Sequence, residues 1–257
     1  MNIDSIKREY EEYFVPENYL SNYYADGPNI EMEFILSFIV RKRFELNLKD
    51  LLVMEFGGGP SLYGVAAMTP FAKEIHFADY LPNNLNAVKN WIENAPGTFD
   101  WSPFIKMTLQ KENVSYAADD ILHRANSMKK KITHLLKCNA LEKEPVNNSA
   151  LKYDLISALY CTDIITKKLD GWFEIIQNIS SMIKSGGWLM LGLTQGGEIE
   201  NRFHNDIEFP SVELSDEDIK KGYALANFDL STFQLEKQKG IDIAQYENVL
   251  MCIARKK

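Results

Sequence analysis

The chain has 257 residues, 46% of them hydrophobic and 25% charged, with a formal net charge of −8. That length suits one large α/β unit able to bury a sizeable core, and the ordinary composition excludes a disordered or fibrous chain. Basic residues gather only in short clusters at Arg41-Lys42-Arg43, Lys129-Lys130-Lys131 and Arg255-Lys256-Lys257, so an acidic chain of this kind is not expected to grip nucleic acid.

The elements alternate between short apolar runs and helical stretches. A tyrosine-rich segment, residues 1–29, comes first. Ile30 to Phe44 then places Phe34, Ile35, Phe38 and Ile39 at helical spacing. Leu51 to Phe56 is a compact apolar run that halts at three glycines, as a parallel strand buried on both faces would. Lys73 to Tyr80 predicts the second strand. Asn83 or Asn84 is placed to cap a helix carrying Leu85, Val88 and Ile92 on one face.

Ala95 to Val114 begins as a loop, and a polar helix runs to about Lys131. A third strand is predicted near Thr133–Ala140, turn chemistry at Pro145-Val146-Asn147-Asn148-Ser149, and a fourth strand at Tyr153–Cys161. Asp170 is the expected cap of a helix whose apolar face is Trp172, Ile175, Ile176, Ile179 and Ile183, stopping at Ser185-Gly186-Gly187. Trp188–Leu193 predicts the fifth strand. A helix near Ser215–Ala224 and strands near Asp229–Glu236 and Asn248–Ala254 complete the series, the last two able to pair as an antiparallel hairpin. With no repeat or linker, one domain over 1–257 is expected, on a mostly parallel sheet with helices on both faces.

Cys138, Cys161 and Cys252 lie far apart with no CxxC, which argues against a disulfide scaffold or zinc finger and suits a reducing cytoplasm. The N-terminus lacks a signal-peptide apolar stretch, and no apolar run reaches the roughly 18 residues of a membrane span. His76, His123, His134 and His204 lack ligand spacing with one another, so no metal is expected; His76 and His134 read as strand residues.

The informative stretch is Glu55-Phe56-Gly57-Gly58-Gly59-Pro60. A glycine turn directly after a buried strand lets a ligand approach the backbone, at the strand ends where open α/β sheets bind ligands. No Gly-Lys-Ser/Thr follows, so it is not a phosphate loop. Leu62 stands where a dinucleotide fingerprint would have its third glycine. Asp79, at the end of the second strand, can accept hydrogen bonds from both ribose hydroxyls of an adenosine. Turn and acid together suit NAD or S-adenosyl-L-methionine.

A resemblance separates the two. Glu55-x-Gly57-x-Gly59 resembles the first motif of class I methyltransferases, and Lys184-Ser185-Gly186-Gly187 resembles their usual approach to the fifth strand. More specifically, Gly57 to Tyr63, Asp79-Tyr80-Leu81-Pro82-Asn83-Asn84-Leu85 and Pro96-Gly97-Thr98-Phe99-Asp100-Trp101-Ser102-Pro103 are similar to the nicotinamide, phenylethanolamine and indolethylamine N-methyltransferases. The N-terminal run Tyr13 to Leu20 with Tyr23-Tyr24, the run Leu136 to Ala140 and the end Val249 to Lys257 resemble the same family.

The resemblance implies a Rossmann-like class I methyltransferase fold with a seven-stranded sheet and a C-terminal hairpin. It implies S-adenosyl-L-methionine as cofactor and a small-molecule amine or N-heterocycle as methyl acceptor. It places Tyr19, Tyr24 and Tyr63 along the cofactor, Gly57, Gly58 and Gly59 against its methionine part, and Asp79 on the ribose with Tyr80 and Asn84 nearby. Asn139 and Ala140 meet the adenine, and Leu159 gives a backbone contact. Residues 1–29 would act as a lid over a core of residues 30–257. Asn139 departs from the family's usual Asp but still offers an acceptor.

Methyl transfer from a sulfonium is an in-line displacement, so positioning the acceptor and excluding water are the protein's main tasks. A protonated amine must first lose its proton, and Asp163 and Glu198, in loops after the fourth and fifth strands, are the candidate acids. Thr194 stands where the nicotinamide and indolethylamine branches carry Asp, which points away from nicotinamide itself. Neither nucleic acid nor membrane is an expected partner, and a cytoplasmic monomer is expected. Three other readings remain open: an O- or carboxyl-methyltransferase, an NAD-dependent oxidoreductase, and a non-catalytic binding protein that kept the fold.

Overall fold

A computed structural model describes residues 10–12, 14–146, 151–196, 201–204, 207–241 and 246–257, the side chains of residues 201–209 excepted. Its main sheet has seven strands. In chain order they are β1 (Leu51–Phe56), β2 (Ala72–Asp79), β3 (Ile132–Lys137), β4 (Tyr153–Leu159), β5 (Ile183–Gln195), then, after a small β6–β7 hairpin (Asn201–His204 with Ile207–Pro210), β8 (Phe228–Lys239) and β9 (Asn248–Lys256). The spatial order is β3-β2-β1-β4-β5-β9-β8. The first five strands are parallel, whereas β9 runs antiparallel to both β5 and β8. This is the class I methyltransferase arrangement that the sequence led us to expect, late hairpin included.

Buried parallel strands put alternate residues into two cores. Val53, Leu155 and Met190 face one cluster; Met54, Ile156 and Leu189 face the other. The first face is covered by α2 (Ile30–Glu45), α3 (Tyr63–Met68), α4 (Pro82–Ile92), α5 (Ser102–Lys111) and α6 (Ala118–Lys131). The second is covered by α7 (Leu169–Ser181) and α8 (Asp216–Leu225). A short helix, α1 (Pro16–Tyr24), precedes them in the chain.

Several expectations need correction. Neither Asn83 nor Asn84 caps α4; Leu81 is the N-cap and Pro82 opens the helix, its missing N–H costing nothing in the first turn. The stretch Ala95–Val114 begins as a loop, as expected, and then forms α5, with Pro103 in its first turn. Lys168 rather than Asp170 precedes α7, which ends at Ser181, so Ile183 belongs to β5 rather than to the helix face. β5 begins well before Trp188 because the strand passes through Gly186, at φ 80°, with an irregular register against β4. The β6–β7 hairpin was not foreseen. Asn147, Asn148 and Ser149 lie outside the described residues. Among the described residues, no helix is long and apolar enough to cross a membrane.

Candidate active site

The strand order reverses between β1 and β4, and the carboxyl ends of β1, β2, β4 and β5 border one cavity of about 440 Å³. That is where open α/β sheets bind ligands, and the volume falls within the ~300–1,000 Å³ usual for small-molecule sites. Of the residues singled out from sequence, Tyr19, Tyr24, Gly57, Gly58, Gly59, Tyr63, Asp79, Tyr80, Asn139, Ala140, Leu159, Asp163 and Thr194 line it. Asn84 does not. It is fully buried behind Asp79, to which its Nδ2 donates at 2.9 Å. Glu198 lies outside the described residues.

The glycine turn is pinned from below. Gly57 and Gly58 N–H donate to the Ala78 carbonyl at 2.8 and 3.2 Å, and Gly59 N–H donates to Asp79 Oδ2 at 2.8 Å. Gly57 adopts φ 67°, a left-handed conformation costly for any residue with a Cβ. Asp79 is buried, and its Oδ1 accepts from Leu81 N–H and Asn84. Burial pushes its carboxyl above the ordinary range, and the Leu81, Asn84 and Gly59 donors oppose that by favouring the charge. Oδ2 takes the Gly59 N–H, and a carboxylate's remaining lone pairs leave acceptor capacity for ribose hydroxyls, so the site suits a nucleoside. Asn139 uses Oδ1 to accept from Leu141 N–H at 3.2 Å, forming a local turn under the neighbouring wall.

The other end of the cavity is aromatic and acidic. Asp163 sits in a 3₁₀ turn, Thr162–Ile164, after β4 and is fully buried. Its Oδ2 accepts from the Thr194 hydroxyl at 2.5 Å and from Thr194 N–H at 3.0 Å, and its carbonyl accepts from Val212 N–H. The paired sequence candidates are thus one unit, with the carboxylate fixed to the end of β5.

Sequence reading missed Glu31, Tyr160 and Tyr246, which also line the cavity. Glu31 occupies the first turn of α2, where an acid is ordinary, but it is buried and accepts from Ile241 N–H at 2.9 Å and the Tyr246 hydroxyl at 2.7 Å. Tyr160 stands one residue past β4 at φ 52°; its hydroxyl is buried without a hydrogen-bond partner among the described residues, and burial raises its pKa strongly. The rule that strand ends carry sites would have found Tyr160; nothing in the sequence marks Glu31. Among the described lining residues are three acids, Glu31, Asp79 and Asp163, and no Lys, Arg or His.

The N-terminal segment covers the end of the cavity that Asp79 and Tyr80 border. Tyr80 donates to Glu11 at 2.7 Å, Tyr10 stacks on Tyr80 with ring centroids 6.5 Å apart, and Phe14 packs with Leu81 and Tyr19. Tyr24 reaches further, meeting the rings of Trp101 and Phe104 in the core.

His76 and His134 are strand residues, as expected, and they meet in one cluster outside the cavity. Strand pairing sets His76 opposite His134, their ring centroids 4.2 Å apart, with Glu74 beside both.

The profile of the NNMT/PNMT/TEMT family matches residues 4–257. The indolethylamine N-methyltransferase of Oryctolagus cuniculus is 26% identical over 97% of this chain and 95% of its own length. The human nicotinamide N-methyltransferase is 24% identical over 97% of this chain and 96% of its own. The crystal structure of magnesium protoporphyrin IX methyltransferase from Synechocystis shares the fold with a TM-score of 0.61, 11% identity, and coverage of 100% of this chain and 98% of that one.

Proposed function

The chain belongs to the NNMT/PNMT/TEMT family, and from that premise we propose that it uses S-adenosyl-L-methionine, bound at the glycine turn, to methylate the nitrogen of a small basic amine or N-heterocycle bound at the Asp163–Thr194 end. The observation that carries the acceptor class is the lining itself: tyrosine rings and three acids with no cationic side chain among the described residues. Such a surface attracts a cation through carboxylates and ring faces and repels a carboxylate or phosphate.

The bound cofactor supplies an activated methyl group. This chain's residues supply everything else. Asp79 and the Gly57–Gly59 backbone hold and orient the nucleoside. The aromatic walls exclude water, and confinement of two reactants in line is worth roughly 7–11 kcal/mol in favourable cases. Asp163, braced by Thr194, attracts an ammonium acceptor and accepts its proton at the carboxylate, which frees the nitrogen lone pair for the methyl. Thr194 cannot itself neutralise a cation, so the acid carries that role.

The proposal predicts binding of S-adenosylhomocysteine by the pure protein in calorimetry, and transfer of labelled methyl to members of a panel of amines, pyridines and hydroxyl compounds, amines first. No binding at millimolar ligand would end the reading, and transfer to hydroxyl compounds alone would make it an O-methyltransferase. Asp163→Asn is expected to lower kcat/KM for a cationic amine about 10–100-fold, the size of a lost charged hydrogen bond, while cofactor affinity stays near wild type.

We also propose that residues 10–14 act as a lid. Truncation of residues 1–14 is expected to weaken S-adenosylhomocysteine binding about 10-fold with little change in the unfolding midpoint, because Leu20 and Tyr24, which belong to the main core, remain. Unchanged affinity would refute the lid. One domain, acting as a cytoplasmic monomer without nucleic acid, fits the acidic charge and the free cysteines.

A further inference from the structure

We propose that Glu74, His76 and His134 form a binding site for a divalent transition-metal ion such as Zn²⁺, on the edge of the sheet and separate from the methyl-transfer cavity, none of whose lining residues they are. The topology creates the site. Among the described strands β3 is an edge and pairs with β2, and their parallel register sets His76 directly against His134. Glu74, two residues before His76, shares its face of the strand.

The ligand atoms lie within 4.8 Å of one another. Glu74 Oε1 is 3.1 Å from His76 Nε2 and 3.6 Å from His134 Nδ1. Donors bound tetrahedrally to zinc at its usual bond lengths are separated by about 3.3–3.4 Å, so both spacings sit within a few tenths of an ångström of a coordination edge. Two imidazoles and a carboxylate are a donor set that suits zinc, cobalt and nickel, and a fourth position would fall to water.

The surroundings are those of a supported ligand. His76 is buried, and its Nδ1 lies 2.9 Å from the Tyr153 hydroxyl. With Nδ1–H donated to that oxygen, the ring is fixed and the Nε2 lone pair faces Glu74, the arrangement that orients metal-bound histidines. Thr133 donates its hydroxyl to Glu74 Oε1 at 2.5 Å and lies 2.9 Å from His134 Nδ1. Metal at His134 Nδ1 requires the ring proton to sit on Nε2; the side chain is half-exposed.

Titration of the full-length, metal-stripped protein with Co²⁺, followed by visible d–d absorption, and with Zn²⁺, followed by thermal unfolding, tests the site. One equivalent of Co²⁺ with a tetrahedral or five-coordinate spectrum is expected, and a rise in unfolding temperature with Zn²⁺. His134→Ala and Glu74→Gln, at positions that are not fully buried, should each weaken binding at least 10-fold while leaving the metal-free unfolding temperature and S-adenosylhomocysteine affinity unchanged. Absence of binding at millimolar metal, or equal binding by both variants, would overturn the proposal and leave the cluster as a hydrogen-bonded edge of the sheet.

Discussion

Gly57→Ala is expected to destabilise the protein by about 2–5 kcal/mol and to lower affinity for S-adenosylhomocysteine at least 100-fold. Two causes add. At φ 67° a Cβ costs about 1–2 kcal/mol. The new carbon would also lie 2.1 Å from Cys161 Sγ and 2.9 Å from Cys161 Cβ, so the turn after β1 or the loop after β4 must move. Both carry the cavity wall, and overpacking of this kind costs about 1–3 kcal/mol. Denaturant unfolding measures the first effect and calorimetry the second. Gly59→Ala isolates the backbone cost: φ is 59°, but nothing lies within 4 Å of the added carbon, so a loss of about 1 kcal/mol is expected. Pairing Gly57→Ala with Cys161→Gly should recover the overpacking part and leave the backbone part. Wild-type stability and binding in Gly57→Ala would show that the seam between the β1 and β4 loops is not tight.

That seam explains what the sequence could and could not convey. β1 and its glycines were legible because a strand buried on both faces reads as an unbroken apolar run with an abrupt stop. Asp79 was legible because it stands at the end of the next strand, marked by Ile75 and Phe77 alternating with Glu74 and His76. Asp163 and Thr194 were each nameable from strand ends, but their hydrogen bond follows from β4 and β5 being neighbours, which no linear spacing states. His76 and His134 met for the same reason, across the β2–β3 register. Glu31 gave no signal, since a helix's first turn welcomes an acid whether or not it faces a cavity. At α4, Asn83 and Asn84 lie too late to be the cap, because the helix opens at Pro82 with Leu81 before it.

The largest pH effect on stability is expected from Glu55, which lies under the glycine turn. It is buried, and its Oε2 has no hydrogen-bond partner. Burial pushes its pKa up to about 8, and the Ser157 hydroxyl opposes this only in part. The acid therefore keeps its proton in the folded protein over a range in which the unfolded chain has lost it. Between the unfolded value near 4.5 and about 8 the native state binds the extra proton, so stability falls as pH rises through that window and levels above it. Over the whole window the loss is roughly 3–5 kcal/mol at 1.36 kcal/mol per pH unit. Glu55→Gln keeps the shape and cannot titrate. Its stability relative to wild type, from urea unfolding at a series of pH values, should climb by that amount from pH 4.5 to pH 8 and then hold constant. A difference independent of pH would mean that the carboxyl ionises normally, with a donor supplied from the turn above it. The same residue then ties folding to function: the strand that must end in three glycines to admit a ligand also carries, two residues earlier, a buried acid whose charge the fold resists.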